Sequence, residues 1–237
     1  MKNSKKKKTR IVLISLIILA GITLGYFIKE YQIYMFLPKV STNKLNKIDL
    51  NKYNKLMIVA HPDDELIWGG GHLIEDNYLV VCVTGGKDKT RSREFKNVMK
   101  DTNDVGLILS YPDKIAGKRS NWRLWKKDIQ RDIETIIKYK EWDVVVSHNE
   151  KGEYGHQHHI MTHKIVDNAC EATKTSSKIM NFGKYYKKSN LSEDGIEQIN
   201  ANILQKKEEL AKNYGSQSKT IKKLHHMFPY ENWTQVY

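Results

Sequence analysis

Leu56-Met57-Ile58-Val59 is an unbroken apolar run, and Ala60-His61-Pro62-Asp63-Asp64-Glu65 follows it directly. A short apolar run bounded by a turn reads as a buried strand. Its exit presents an imidazole and adjacent carboxylates. Pro62 restricts the backbone there and keeps the turn extended. Donors of this type suit a hard or borderline divalent metal, and a hydrolase needs a further acid beside the ion. His61 and Asp64 can converge on one ion, leaving Asp63 to handle protons. A simpler explanation makes Asp63-Asp64 a helix cap. A cap accounts for neither His61 nor the second acid.

Strands and helices alternate outward from this motif. Gly69-Gly70-Gly71 reads as a turn leading through a short helix to Asn77, and Tyr78–Thr84 as a strand broken by Gly85-Gly86. Arg91–Val105 reads as a helix ended by Gly106, with Phe95, Val98, Met99 and Thr102 on one stripe. Leu107–Leu109 follows as a strand. Trp122–Tyr139 is predicted helical with Leu124, Ile129, Ile133, Ile136 and Ile137 inward. Asp143–Ser147 reads as a strand and His156–Ala172 as a long helix. Further on, Ile179–Tyr186 reads as a strand and Gln198–Asn213 as a helix, while Phe228–Tyr237 can pack back with Trp233 and Tyr237. This alternation predicts an α/β fold, Rossmann-like, with a mostly parallel sheet and helices on both faces. Such sheets place chemistry at the carboxyl ends of their strands.

Gly155-His156-Gln157-His158-His159 lies about ninety residues after the first motif. On a helix, His156, His159 and His163 share a face at i, i+3 and i+7, while His158 points elsewhere. A lone histidine there would be structural. Several on one face, with His61 and its acids at a strand end, point to a shared metal. His148 and Asn149, after the fourth strand, suit supporting contacts. His72, His225 and His226 read as ordinary histidines. Cys82 and Cys170 read as two buried thiols, with a disulfide as the alternative.

The amino terminus carries a different signal. Lys2, Lys5, Lys6, Lys7, Lys8 and Arg10 precede Ile11–Ile28, an uncharged apolar run of eighteen residues. That is close to the ~20 residues a membrane-crossing helix needs. No small-x-small site suggests cleavage, so an anchor is expected rather than a signal peptide. The basic cluster predicts a cytoplasmic amino terminus and an extracytoplasmic remainder at the cell membrane, in a single pass. The segments are then a tail (1–10), an anchor (11–28), a linker (29–54) and one domain (55–237). The formal charge of +13 falls to +7 without the six cations of residues 1–10. A moderately basic surface favours phospholipid or other anionic surroundings. The cations are dispersed and no nucleic-acid motif accompanies them, so no nucleic-acid partner is expected.

His-Pro-Asp-Asp-Glu after a strand, with Gly-His-x-x-His downstream, resembles the PIG-L/LmbE family of zinc-dependent N-acetylglucosamine deacetylases. The likeness covers roughly residues 55–180, with weaker agreement at Thr84-Gly85-Gly86, Arg93-Glu94 and Tyr111-Pro112-Asp113. It implies a Rossmann-like domain that removes the N-acetyl group from an N-acetylated sugar. It also implies Zn2+ held by His61, Asp64 and His159, with Asp63 as general base and His156 stabilising the oxyanion. Asp63 or His156 would protonate the leaving amine. Tyr154, Arg93 and Asp113 would contact substrate. Many members carry an acid where this chain has His158. Two other readings stay open: a metal-dependent amidase or esterase with another substrate, and a non-catalytic, membrane-tethered carbohydrate-binding module.

Overall fold

The computed structural model describes residues 2–191 and 196–236. In chain order, α1 (Lys2–Met35) and the single turn α2 (Thr42–Leu45) precede β1 (Lys55–Val59), α3 (Asp64–Glu75), β2 (Tyr78–Thr84), α4 (Lys89–Thr102) and β3 (Val105–Tyr111). The short strands β4 (Lys114–Ile115) and β5 (Lys118–Arg119) lead to α5 (Lys126–Ile137) and β6 (Val144–Ser147). Then come α6 (Gly152–Gly155), α7 (Gln157–Thr173), β7 (Lys178–Asn181), α8 (Ala201–Ala211), α9 (Ser218–Leu224) and β8 (Thr234–Gln235). The chain divides into two compact units, Met1–Pro38 with Pro112–Ser120, and Lys39–Tyr111 with Asn121–Tyr237.

The first unit holds α1 and the antiparallel hairpin of β4 and β5. Within α1, Arg10–Met35 is long and apolar enough to cross a membrane, by length and composition. The helix thus continues past Ile28. In the second unit Val40, Leu45 and Leu50 are buried. The polar stretch from residue 39 is therefore packed onto the domain, where the sequence reads as linker.

The second unit is built on a sheet of order β3-β2-β1-β6-β7-β8. All its pairings are parallel except β7 with β8. Every residue of β2 is buried. Because alternate strand residues point to opposite faces, this requires cover on both faces. Leu56, Met57, Ile58 and Val59 are likewise wholly buried, each contributing roughly 1.5–3 kcal/mol of apolar burial. The chain leaves β1 toward β2 on one side and returns to β6 on the other. The carboxyl ends of β1 and β6 therefore flank the crevice where the strand order reverses.

Several elements differ from expectation. Gly69-Gly70-Gly71 is no turn but lies within α3. A Cβ at these positions would meet Met57 Cε at 2.7 Å, Leu66 Cδ1 at 2.9 Å with Lys207 Cγ at 3.0 Å, and Glu231 Oε2 at 3.0 Å. Close packing needs these glycines, not chain reversal. Helix α4 stops at Thr102 because Asn103 takes the left-handed conformation (φ 62°). Gly106 instead lies in β3, where a Cβ would strike Phe95. Trp122 also has a positive φ (50°), so α5 starts later, and Leu124 is 62% exposed instead of inward. The strand expected over Ile179–Tyr186 ends at Asn181, and α8 begins after the Asn200 cap. Cys82 and Cys170 are free buried thiols. Trp233 does pack back, stacked on His72 at 3.5 Å between centroids; Tyr237 lies outside the described residues.

Candidate metal centre

The first motif wraps the end of β1 onto the start of α3. Asp64 opens the helix and accepts the His61 amide on Oδ2 at 2.8 Å. The same oxygen is 3.1 Å from His61 Nδ1, and Asp64 Oδ1 is 3.1 Å from His159 Nε2. Donor atoms from two remote segments thus meet at one carboxylate. Burial opposes the charge on Asp64, but His159 and His61 outweigh it and hold the carboxyl well below its ordinary range.

Asp63 is buried at φ 123°, a conformation rare outside glycine. Backbone strain of this kind persists only where surroundings over-determine it. Here the Asp63 amide donates to Glu65 Oε2 at 3.1 Å, and Arg91 Nη2 reaches Pro62 O at 2.9 Å and Asp63 Oδ1 at 3.4 Å. Burial and the neighbouring Asp64 raise the Asp63 pKa well above the carboxylate range, against the pull of Arg91 and His61. Tyr214 in turn donates to Glu65 Oε1.

The histidines are not arranged as one helical face. His156 precedes α7 as its extended cap, with its ring 4.8 Å from His61 and 4.3 Å from His159. His163 points away, its Nδ1 3.0 Å from His148 O. His158 does not point elsewhere: its Nδ1 lies 2.9 Å from His61 Nε2, and its ring stacks on Trp122 at 4.1 Å.

Glu153 supports the cluster from behind. It sits at φ 54° and accepts from both His148 Nδ1 and His159 Nδ1. This fixes the His159 proton on Nδ1 and leaves the Nε2 lone pair facing the centre. Burial opposes the Glu153 charge, but His148 and His159 prevail and hold its pKa near about 2. For His148 itself, burial disfavours the cation while Glu153 and Asp64 pull its pKa toward about 9. The Ala60 amide lies against the same ring, 3.0 Å from His148 Nε2, and Asp64 Oδ2 is 3.5 Å from that nitrogen.

The donor set fits a divalent ion. His159 Nε2 is buried without a hydrogen bond, and the adjacent oxygen and imidazole nitrogens are the donors that zinc accepts. Among the expected substrate contacts, Tyr154 lies edge-on to His156 and His159 at 5.9 and 5.6 Å. Arg93 is exposed, and the arginine against the motif is Arg91. Asp113 belongs to the other unit, where Arg119 Nη1 pairs with it at 2.9 Å. Glu153 was legible as an acid just before the histidine cluster, and Glu65 as the last acid of the first motif; Arg91 and Tyr214 carried no local signal.

Residues 56–170 match the model of the family described as PIG-L, GlcNAc-PI de-N-acetylase. This segment belongs to the PIG-L family. The PIG-L segment contains both histidine motifs. The chain is 36% identical over 132 residues to "Uncharacterized protein L374" of Acanthamoeba polyphaga mimivirus, covering 48% of this chain and 57% of that protein. It is 26% identical over 153 residues to a 1D-myo-inositol 2-acetamido-2-deoxy-alpha-D-glucopyranoside deacetylase of Thermomonospora curvata, covering 49% and 52%. The chain thus spans about half the length of these curated relatives. The crystal structure of A40926 pseudoaglycone deacetylase Dbv21 shares the fold of this chain, with TM-score 0.54 and 16% identity over 73% of this chain and 85% of that one.

Proposed function

We propose that this protein is a membrane-anchored, zinc-dependent hydrolase that removes the N-acetyl group from an N-acetylglucosamine-type sugar. The observation that carries the reading is the meeting of His61, Asp64 and His159 donors beside the buried Asp63. Family membership and the deacetylase relative support the reaction class.

His61, Asp64 and His159 would hold the ion. Zinc bound with an open position lowers the pKa of water and polarises a carbonyl. Asp63 takes the proton of the attacking water as its oxygen bonds to the acetamide carbon. Protonated His156 faces the charge developing on the carbonyl oxygen. The carbon–nitrogen bond then breaks, and Asp63 or His156 delivers a proton to the amine, giving acetate and a free amino sugar. Tyr154 closes over the same edge.

The apolar Arg10–Met35 stretch, preceded by lysines, supports an anchor with the catalytic unit outside the membrane. Protease accessibility in intact cells tests that topology. Acetate release from N-acetylglucosamine compounds, before and after chelation, tests the reaction. Activity is expected to vanish with the chelator, return with zinc, and fall by about 10²–10⁴-fold in Asp63→Asn. Turnover indifferent to both treatments would overturn the proposal.

A further inference from the structure

The turn between Asn121 and Lys126 leads into α5 and is braced by two tryptophans. Trp122 and Trp125 are both buried. The Trp122 carbonyl accepts the amides of Trp125 and Lys126 at 2.9 and 2.7 Å, and Asn121 Oδ1 accepts that of Arg123 at 3.1 Å. Leu124, between the tryptophans, is exposed to solvent. Outside α1 and Phe36, Leu124 and Val236 are the large apolar side chains left exposed among the described residues.

A single exposed leucine means little by itself. Its neighbours give it meaning. Arg123, Lys126 and Lys127 flank it, all exposed. Among the described residues no carboxylate pairs with these three, and Asp128, the acid in the first turn of α5, is taken by Arg131. Cations at a helix amino terminus oppose the helix dipole, so the cluster does not serve the stability of α5. An apolar tip flanked by cations matches the boundary of an anionic bilayer. The apolar group enters the acyl region while ammonium and guanidinium groups meet phosphates. The same chain carries a helix long and apolar enough to cross a membrane. The turn also borders the candidate centre: the Trp122 ring stacks on His158 at 4.1 Å, and His158 Nδ1 is 2.9 Å from His61 Nε2.

We infer that Arg123, Leu124, Lys126 and Lys127 form a membrane-surface contact, with Leu124 inserted among anionic phospholipids, so that the rim of the centre rests on the bilayer. The inference rests on the anchor reading and is independent of the reaction catalysed.

The test uses the full chain reconstituted in vesicles, with a bimane label on Leu124→Cys. Cys82 and Cys170 are buried, which directs the label to the introduced thiol. A reference label sits on Glu141→Cys, exposed just before β6 at the amino ends of the strands. In vesicles of phosphatidylcholine with phosphatidylglycerol, a nitroxide lipid is expected to quench the first label and not the second. Quenching is expected to fall in pure phosphatidylcholine and in high salt. Lys126→Gln and Lys127→Gln are each expected to lower the bound-to-free ratio of the turn by about five-fold. Unlabelled Leu124→Gln is expected to lose the protection from hydrogen exchange that anionic vesicles give residues 121–127. Quenching no greater at Leu124→Cys than at Glu141→Cys, or indifferent to lipid charge and to the lysine variants, overturns the contact. So does a label that lipid nitroxide leaves alone but that becomes shielded from aqueous iodide as protein concentration rises, because a second copy then covers Leu124. Flotation with neutral vesicles tells the two readings apart. A chain that fails to float overturns the anchor and the contact with it, whereas one that floats without quenching keeps the anchor and loses the contact.

Discussion

His158 Nδ1 lies 2.9 Å from His61 Nε2, on the side of the ring opposite the Asp64 carboxylate. An imidazole here performs the outer contact that a carboxylate makes to His159. If Nδ1 of His158 accepts, His61 keeps its proton on Nε2 and frees Nδ1 toward the centre. Trp122, stacked on the His158 ring, holds that orientation.

Loss of this contact is expected to weaken zinc affinity in His158→Ala by about 10–100-fold. His158→Asp is expected to restore much of it, because a carboxylate also accepts from Nε2. Competition against a chromophoric chelator reads both. Equal affinity in the alanine variant and the wild type would exclude the role.

Glu153 receives both His148 and His159. Glu153→Gln keeps the shape but loses the charge that orients His159. Zinc affinity is expected to drop by about 10–100-fold, with the melting temperature of the metal-free protein changing less than in Glu153→Ala. A variant that binds zinc as tightly as the parent would refute this.

Tyr214 ties Asp63 to the carboxyl-terminal segments through Glu65. Burial raises the Glu65 pKa to about 7 against the Tyr214 hydrogen bond. Tyr214→Phe removes the donor and is expected to cost about 1–2 kcal/mol of stability. If the link positions Asp63, kcat falls while KM stays near the parent value. Unaltered kcat with lowered stability would reduce Tyr214 to a packing role.

Lys207 and Glu231 are paired, with both side chains fully buried. Lys207 also donates to Ile67 O and Phe228 O at 3.0 Å each, while Glu231 accepts the Gly71 and His72 amides at 2.7 and 3.2 Å. The pair locks the end of the chain to the helix that carries Asp64. Burial opposes the Glu231 charge, but Lys207 and His72 hold its pKa at about 2 against 4.5 ordinarily. A depressed folded pKa gives stability that is present above pH 4.5 and lost as pH falls toward 2. The loss is about 3 kcal/mol. Denaturant melts across that window should show a steeper slope in the wild type than in a Lys207→Met, Glu231→Leu double variant, in which Asp64 and Glu153 keep their own share. Glu231→Leu alone should destabilise by about 3–5 kcal/mol, because it strands a buried ammonium.

The sequence by itself determined the α/β alternation, the strand that leads to His61 and the donor types of the centre. Apolar period, proline and ligand chemistry are local properties, readable without partners. Sequence could not decide which side chains complete the site. Arg91 rather than Arg93 meets Asp63 because helix phase turns it inward, and residues two apart on a helix point differently. His158 faces His61 because His156 caps the helix instead of continuing it. Gly69–Gly71 lie within a helix because Met57, Lys207 and Glu231 press against them. Contacts across some 90 to 160 residues follow from the placing of β1 beside β6 and of α8 over α3, and only the folded chain fixes that order.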